Sequence, residues 1–186
     1  MSSPPPSAAP RVRLYYALWP ERAVAERMHG HAAALRAAVG GRITRVDSIH
    51  LTLAFLGDVD AARVDELMVP PAAITAGAFR LDVDRIGVWH HNGIGWLAPS
   101  AAPPALIDLQ SRLSGWIESI GFALEKRAFA SHATILRKCT GKLATASIEP
   151  IRWMVDDYVL VRSTLDSAGS RYEVIGRFLL TERPPP

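Results

Sequence analysis

Two copies of one short pattern hold the residue types that could do chemistry: His50-Leu51-Thr52-Leu53 and His132-Ala133-Thr134-Ile135. Each reads His, apolar, Thr, apolar, and the two lie nearly half the chain apart. A β-strand turns successive side chains to opposite faces, so His and Thr share one face while Leu51, Leu53, Ala133 and Ile135 point into a core. Two such strands side by side would line a pocket with two imidazoles and two hydroxyls. Histidine titrates near neutrality, so one neutral imidazole can take a proton while a second, protonated one gives a proton away. The hydroxyls can donate to the non-bridging oxygens of a phosphate held between the rings. This set suits acid–base displacement at phosphorus, such as the opening of a cyclic phosphodiester, and it requires no metal.

The rest of the composition narrows the field. His29 and His31 are two apart on an expected helix and do not share a face, and His90-His91 falls at an expected hairpin tip. No Asp/Glu cluster accompanies any histidine at metal-binding spacing, so no metal is expected. The chain has no phosphate-cradling glycine loop and no Gly-x-Ser-x-Gly elbow, and no cofactor is expected. A single cysteine, Cys139, excludes an intramolecular disulfide and fits a reducing cytoplasm. Net charge is +3, compatible with an anionic substrate. No apolar run is long enough to span a membrane, and the proline-rich start lacks the basic and apolar segments of a secretory signal.

The positioning elements follow from periodicity. Val12 to Leu18 reads as a strand, and residues 21–39 read as one helix with Val24, Met28, His31, Leu35 and Val39 on a stripe ended by Gly40-Gly41. A short strand over 43–46 leads into the first motif strand, 49–56, which Gly57-Asp58 should end. Asp60 can cap a second helix that breaks at Pro70-Pro71. Residues 79–89 and 94–98 read as a hairpin joined by His90-His91-Asn92-Gly93, where Asn-Gly suits a type I′ turn. Pro103-Pro104 opens a helix carrying Leu106, Leu109, Leu113 and Ile120. The second motif strand, 131–137, is followed by a polar loop over 139–149, a β-rich stretch over 151–165, a turn at Ser167-Ala168-Gly169-Ser170 and a last strand, 172–180. This order predicts an α+β protein with mainly antiparallel strands, in two halves that each hold a helix and a His-Thr strand. Residues 1–10 and 182–186 read as disordered tails around one domain, 11–181.

The run Ser48-Ile49-His50-Leu51-Thr52-Leu53-Ala54-Phe55-Leu56-Gly57, with Phe129-Ala130-Ser131-His132-Ala133-Thr134-Ile135-Leu136-Arg137, resembles the 2H phosphoesterase superfamily. Within it the chain is most similar to the RNA 2′,3′-cyclic phosphodiesterase branch, first described as 2′-5′ RNA ligases. Arg13 to Leu18 resembles that branch's opening strand, and Ser163 through Tyr172 its closing hairpin. The resemblance implies a bilobal, pseudo-symmetric fold, with two antiparallel sheets flanking a central cleft and helices packed outside. It implies opening of an RNA 2′,3′-cyclic phosphate end to a 2′-phosphate, with His50 protonating the 3′ oxygen and His132 activating water. Thr52, Thr134 and Arg137 would bind the phosphate, and Phe55 would lie against the terminal base. Many relatives also join RNA ends in vitro through a 2′,5′ linkage. Ser131 stands where the family commonly has proline, and Ala133 where it has a larger aliphatic residue.

Phe55 and Arg137 each lie five residues after their histidine. Strict alternation puts them on the opposite face, so a bulge or a strand end would have to return them; plain core is the competing assignment for Phe55. Two other functions stay open at this point. One is a nucleic-acid or nucleotide-binding module using the same cleft without turnover. The other is a related enzyme acting on 2′-5′ oligonucleotides or a small cyclic nucleotide. No obligate protein partner is implied, and nothing demands more than a monomer.

Overall fold

A computed structural model describes residues 9–70, 74, 77–126, 128–166 and 169–180. Its strands are β1 (Arg11–Leu18), β2 (Arg42–Ile43), β3 (Leu51–Asp60), β4 (Phe79–Trp89), β5 (Ile94–Ala98), β6 (Ala133–Arg137), β7 (Ala146–Val155), β8 (Asp157–Asp166) and β9 (Gly169–Leu179). Its helices are α1 (Arg22–Gly30), α2 (Ala32–Val39), α3 (Val64–Leu67) and α4 (Pro104–Ser119). Neighbouring strands are antiparallel in the order β7-β4-β5-β6-β3-β1-β8-β9, and β2 adds to β6. The α+β class and the two halves are therefore present, as β7-β4-β5-β6 and β3-β1-β8-β9. The halves are stitched at their junction by a single residue pair, Leu51 with Ala133, so the two sheets run on as one path.

One face of this path carries the core. Leu106, Leu109, Leu113 and Ile117 of α4 are fully buried, and α4 packs behind β3. Val24 and Met28 of α1, with Ala32, Leu35 and Val39 of α2, join the same cluster, and α2 lies behind β6. At roughly 1.5–3 kcal/mol for each fully buried large aliphatic side chain, these stripes hold both motif strands from behind. On β1 the alternation separates two environments. Leu14, Tyr16 and Leu18 enter the main core, whereas Tyr15 and Ala17 join Val159 and Val161 of β8 in a small cluster on the other face, flanked by Trp19 and Tyr172.

Several elements differ from the periodic reading. The helix expected over 21–39 is two helices interrupted at His31, whose amide bonds back to Met28 O at 3.2 Å after the weakly helical Gly30. The helix expected after Asp60 is a turn of 3₁₀ followed by α3; Asp60 does cap it, accepting from the Ala62 amide at 2.9 Å. Gly57 does not end the first motif strand but continues it at φ +70°. At the hairpin tip Gly93 alone has positive φ, so the link is a four-residue turn rather than type I′, and Asn92 accepts from the Ile94 amide. The stretch over 151–165 divides at Asp156 into β7 and β8, which lie in different halves of the path. Most of the two expected tails, the break at Pro71 and residues 167–168 of the expected turn lie outside the described residues. No described helix is long and apolar enough to cross a membrane.

Candidate active site

The single junction pair decides where the motif side chains go. Leu51 and Ala133 face each other and are buried, so their neighbours in sequence point to the opposite face. Continuing the antiparallel register by one residue each way sets His50 toward Thr134 and Thr52 toward His132. The two histidines are then diagonal neighbours on one face, with Cα atoms ~7–8 Å apart. Both are partly exposed, and a positive charge on His132 bears on the titration of His50. The four groups form a parallelogram with local two-fold pseudo-symmetry.

Each imidazole is oriented in the same manner. His50 Nδ1 lies 2.8 Å from Ser48 O, and His132 Nδ1 lies 2.7 Å from Ala130 O. A carbonyl oxygen can only accept, so Nδ1 carries the proton in both rings and Nε2 is the nitrogen that can exchange one. A neutral ring then offers a lone pair at Nε2, and a protonated ring offers an N–H there.

The five-residue spacing is resolved by a bulge in each motif strand. On β3, Thr52 pairs with Ala17 and Ala54 with Tyr16, which leaves Leu53 unmatched. On β6, Thr134 pairs with Trp96 and Leu136 with Gly95, which leaves Ile135 unmatched. Leu53 and Ile135 are each the third residue after their histidine, so the bulges occupy equivalent places. Phe55 consequently pairs with Tyr15 and shares a face with Thr52, because Tyr15 and Ala17 are two apart on one strand. Arg137 pairs with Ile94 and shares a face with Thr134 by the same reasoning. Phe55 is 39% exposed and is not core.

Sequence reasoning missed the aromatic walls. Trp19 stacks on His50 at 5.2 Å between centroids, Tyr15 stacks at 5.0 Å, and Tyr172 meets it edge-on at 5.2 Å. Burial among these rings pushes the His50 pKa down to about 4; the bond to Ser48 O opposes that shift, and the charges of Arg137 and His132 add to it. Burial also raises the Tyr15 phenol far above its usual range, and its hydroxyl has no hydrogen-bond partner among the described residues. On the other side Trp89 packs edge-on against His132 at 4.4 Å and is backed by Trp96 at 5.6 Å. No motif marks these aromatics, because they come from β1 and the residue after it, from β4, β5 and β9, and gather around the histidines only through tertiary pairing.

Gly87 makes this second wall possible, since a Cβ there would lie 2.4 Å from Cζ2 of Trp96. We expect Gly87→Ala to lower the unfolding free energy by about 1–3 kcal/mol in a urea titration. Wild-type stability in that variant would show that the indole is not held where described.

Two recesses flank the histidine pair. One, of about 260 Å³, lies between Thr52, Phe55, Trp89, Gln110, Phe129 and His132. The other, of about 190 Å³, includes Ser48, Arg137 and Tyr172. Among the described residues no group of three His, Cys, Asp or Glu side chains is placed to hold a metal ion. His91 is exposed and borders the first recess, whereas Cys139 is buried, which raises its thiol pKa.

The profile of the family described as LigT like Phosphoesterase matches residues 18–96, a span that holds the first motif. An RNA 2′,3′-cyclic phosphodiesterase of Escherichia coli (strain K12) is 31% identical over 144 residues, covering 76% of this chain and 81% of that protein. An RNA 2′,3′-cyclic phosphodiesterase of Geobacillus stearothermophilus is also 31% identical, over 151 residues; the match takes in 74% of this chain but 47% of that longer protein. Among solved structures, that of E. coli LigT complexed with 3′-AMP aligns with a TM-score of 0.83 at 28% identity, covering 93% of this chain and 100% of the other.

Proposed function

The chain belongs to the LigT-like phosphoesterase family, and on that premise we propose that it hydrolyses the 2′,3′-cyclic phosphate at an RNA end to a 2′-phosphate, without a metal, using His50 and His132 as the acid–base pair. The observation that carries the reading is the diagonal placement of the two imidazoles on one face, each with Nδ1 tied to the carbonyl two residues before it. Phosphorus between them meets one Nε2 from each side. His132 takes a proton from water as the oxygen attacks phosphorus. The P–O3′ bond breaks, and His50 delivers its Nε2 proton to O3′. The products are a 2′-phosphate monoester and a free 3′-hydroxyl; exchange with solvent returns both imidazoles to their starting states.

The remaining residues have supporting roles in this scheme. Thr52 and Thr134 donate hydroxyl hydrogen bonds to the non-bridging oxygens, where negative charge grows in the transition state. Arg137 supplies a fork of N–H donors to the same oxygens. Phe55, exposed beside Thr52, offers a ring face to the terminal base. With a 5′-hydroxyl in place of water, the same displacement joins two RNA ends through a 2′,5′ linkage. On this reading the enzyme works as a monomer in the cytoplasm.

The test is end-group analysis of the products from a defined oligoribonucleotide ending in a 2′,3′-cyclic phosphate. We expect a 2′-phosphate as the single product, formed at an undiminished rate in EDTA. Binding without turnover would favour a recognition module. A 3′-phosphate product, or loss of activity in EDTA restored by a divalent cation, would sink the mechanism.

A further inference from the structure

The second recess holds a guanidinium, that of Arg42, which the reaction scheme does not use. Arg42 on β2 pairs directly with Arg137 on β6, so their side chains project from the same face as opposed neighbours. Directly opposed like charges weaken an antiparallel pair. Yet among the described residues neither guanidinium has an ion-pair partner, whereas the adjacent Arg45 is held by Asp47. Both Arg42 and Arg137 line the recess together with Ser170 and Tyr172. Arg42 reaches across it to the start of β9, where a Cβ on Gly169 would lie 3.5 Å from its Nη1. Thr44 lines the same recess, and its buried hydroxyl has no hydrogen-bond partner among the described residues. Arg42 and the Thr44 hydroxyl, both outside the scheme, share this cavity with Arg137, a setting that an oxyanion beyond the scissile one would stabilise.

Resting on the function proposed above, we infer that this recess is a second anion subsite, which takes a phosphate of the RNA strand other than the one between the imidazoles. It lies against Ser48 and Tyr172, both in contact with His50, while the recess holding Phe55 lies toward His132. The site then spans more than one nucleotide, and Arg42 selects polynucleotide ends over free cyclic nucleotides.

Comparing wild type with Arg42→Gln on two substrates tests this. A nucleoside 2′,3′-cyclic monophosphate has only the scissile phosphorus; a short oligonucleotide with the same terminus has internal phosphates as well. The variant should lose about 10-fold in kcat/KM on the oligonucleotide and stay within two-fold of wild type on the mononucleotide. Its kcat/KM on the oligonucleotide should also fall less steeply with salt, the log–log slope being shallower by about 0.7. Its melting temperature should match or exceed the wild-type value, because a like-charge pair has been removed. Equal losses on both substrates would assign Arg42 to the scissile phosphate, and no loss on either would leave the recess without a ligand role; both overturn the inference. Wild-type protein that hydrolyses neither substrate overturns the proposed function instead, and the inference falls with it.

Discussion

With His132 replaced by alanine, kcat on a cyclic-phosphate RNA end falls by about 10²–10⁴-fold, and His50→Ala produces a loss of the same order. Each change removes one proton-transfer partner and leaves the phosphate-binding hydroxyls in place, so KM should move far less than kcat. The double variant should be little worse than the worse single, because the two groups serve one displacement and neither helps much without the other. The fold should survive each change, because the helices behind β3 and β6 join the core cluster that holds Leu51 and Ala133, on the face opposite the histidines. Circular dichroism and a urea titration on each variant check that point, and single-turnover kinetics measure the chemical step itself. Retention of more than a tenth of wild-type kcat in both single variants would end the two-histidine mechanism.

The parts of this site that could be read from the sequence are those fixed by local alternation. His50, Thr52, His132 and Thr134 stand at one-residue intervals in apolar runs, and period-two geometry is enough to put each pair on one face. The side on which Phe55 and Arg137 emerge depended on the bulges at Leu53 and Ile135. Those arise from how β1 and β5 pair with the motif strands, and no residue within either motif encodes them. The same holds for the rings of Tyr15, Trp19, Trp89 and Tyr172, which set the environment of the imidazoles from elements remote in sequence. At fold level the hairpin of β4 with β5 and the α4 stripe were legible because their contacts are local or periodic. The division at Asp156 was not. Residues on both sides of it have the same β-rich composition, and only the order of strands shows that the chain passes there from one half to the other. The opposition of Arg42 to Arg137 is likewise a product of register, invisible until β2 is laid on β6.

Phosphate should raise the pKa of His50 by about two to three units, from the value near 4 that the free protein gives it. In the proposed scheme His50 must be protonated to serve the leaving oxygen, yet in the free protein it is neutral at physiological pH. Desolvation by Tyr15, Trp19 and Tyr172 disfavours the imidazolium, and the nearby charges of Arg137 and His132 disfavour it further. An anion between the histidines reverses the sign of the local field: one negative charge about 4 Å away contributes about 4 kcal/mol at an effective dielectric of 20, or roughly three pKa units. The substrate thus protonates its own acid, and binding is linked to proton uptake. Three results follow, with their signs fixed. The His50 ring resonance in NMR should titrate near pH 4 without ligand and at markedly higher pH with saturating inorganic phosphate. Phosphate affinity should weaken as pH rises through the ligand-bound pKa, because the proton that must be taken up becomes scarcer. The limb of the pH profile that needs protonated His50 should lie at higher pH for kcat, which reports the complex, than for kcat/KM, which reports the free enzyme. Arg137→Gln removes a charge that lowers the His50 pKa, so the ligand-free midpoint should rise in that variant while phosphate binding weakens. If phosphate leaves the His50 midpoint near 4, His50 stays neutral throughout turnover; it would then have to be the base, and His132 the acid.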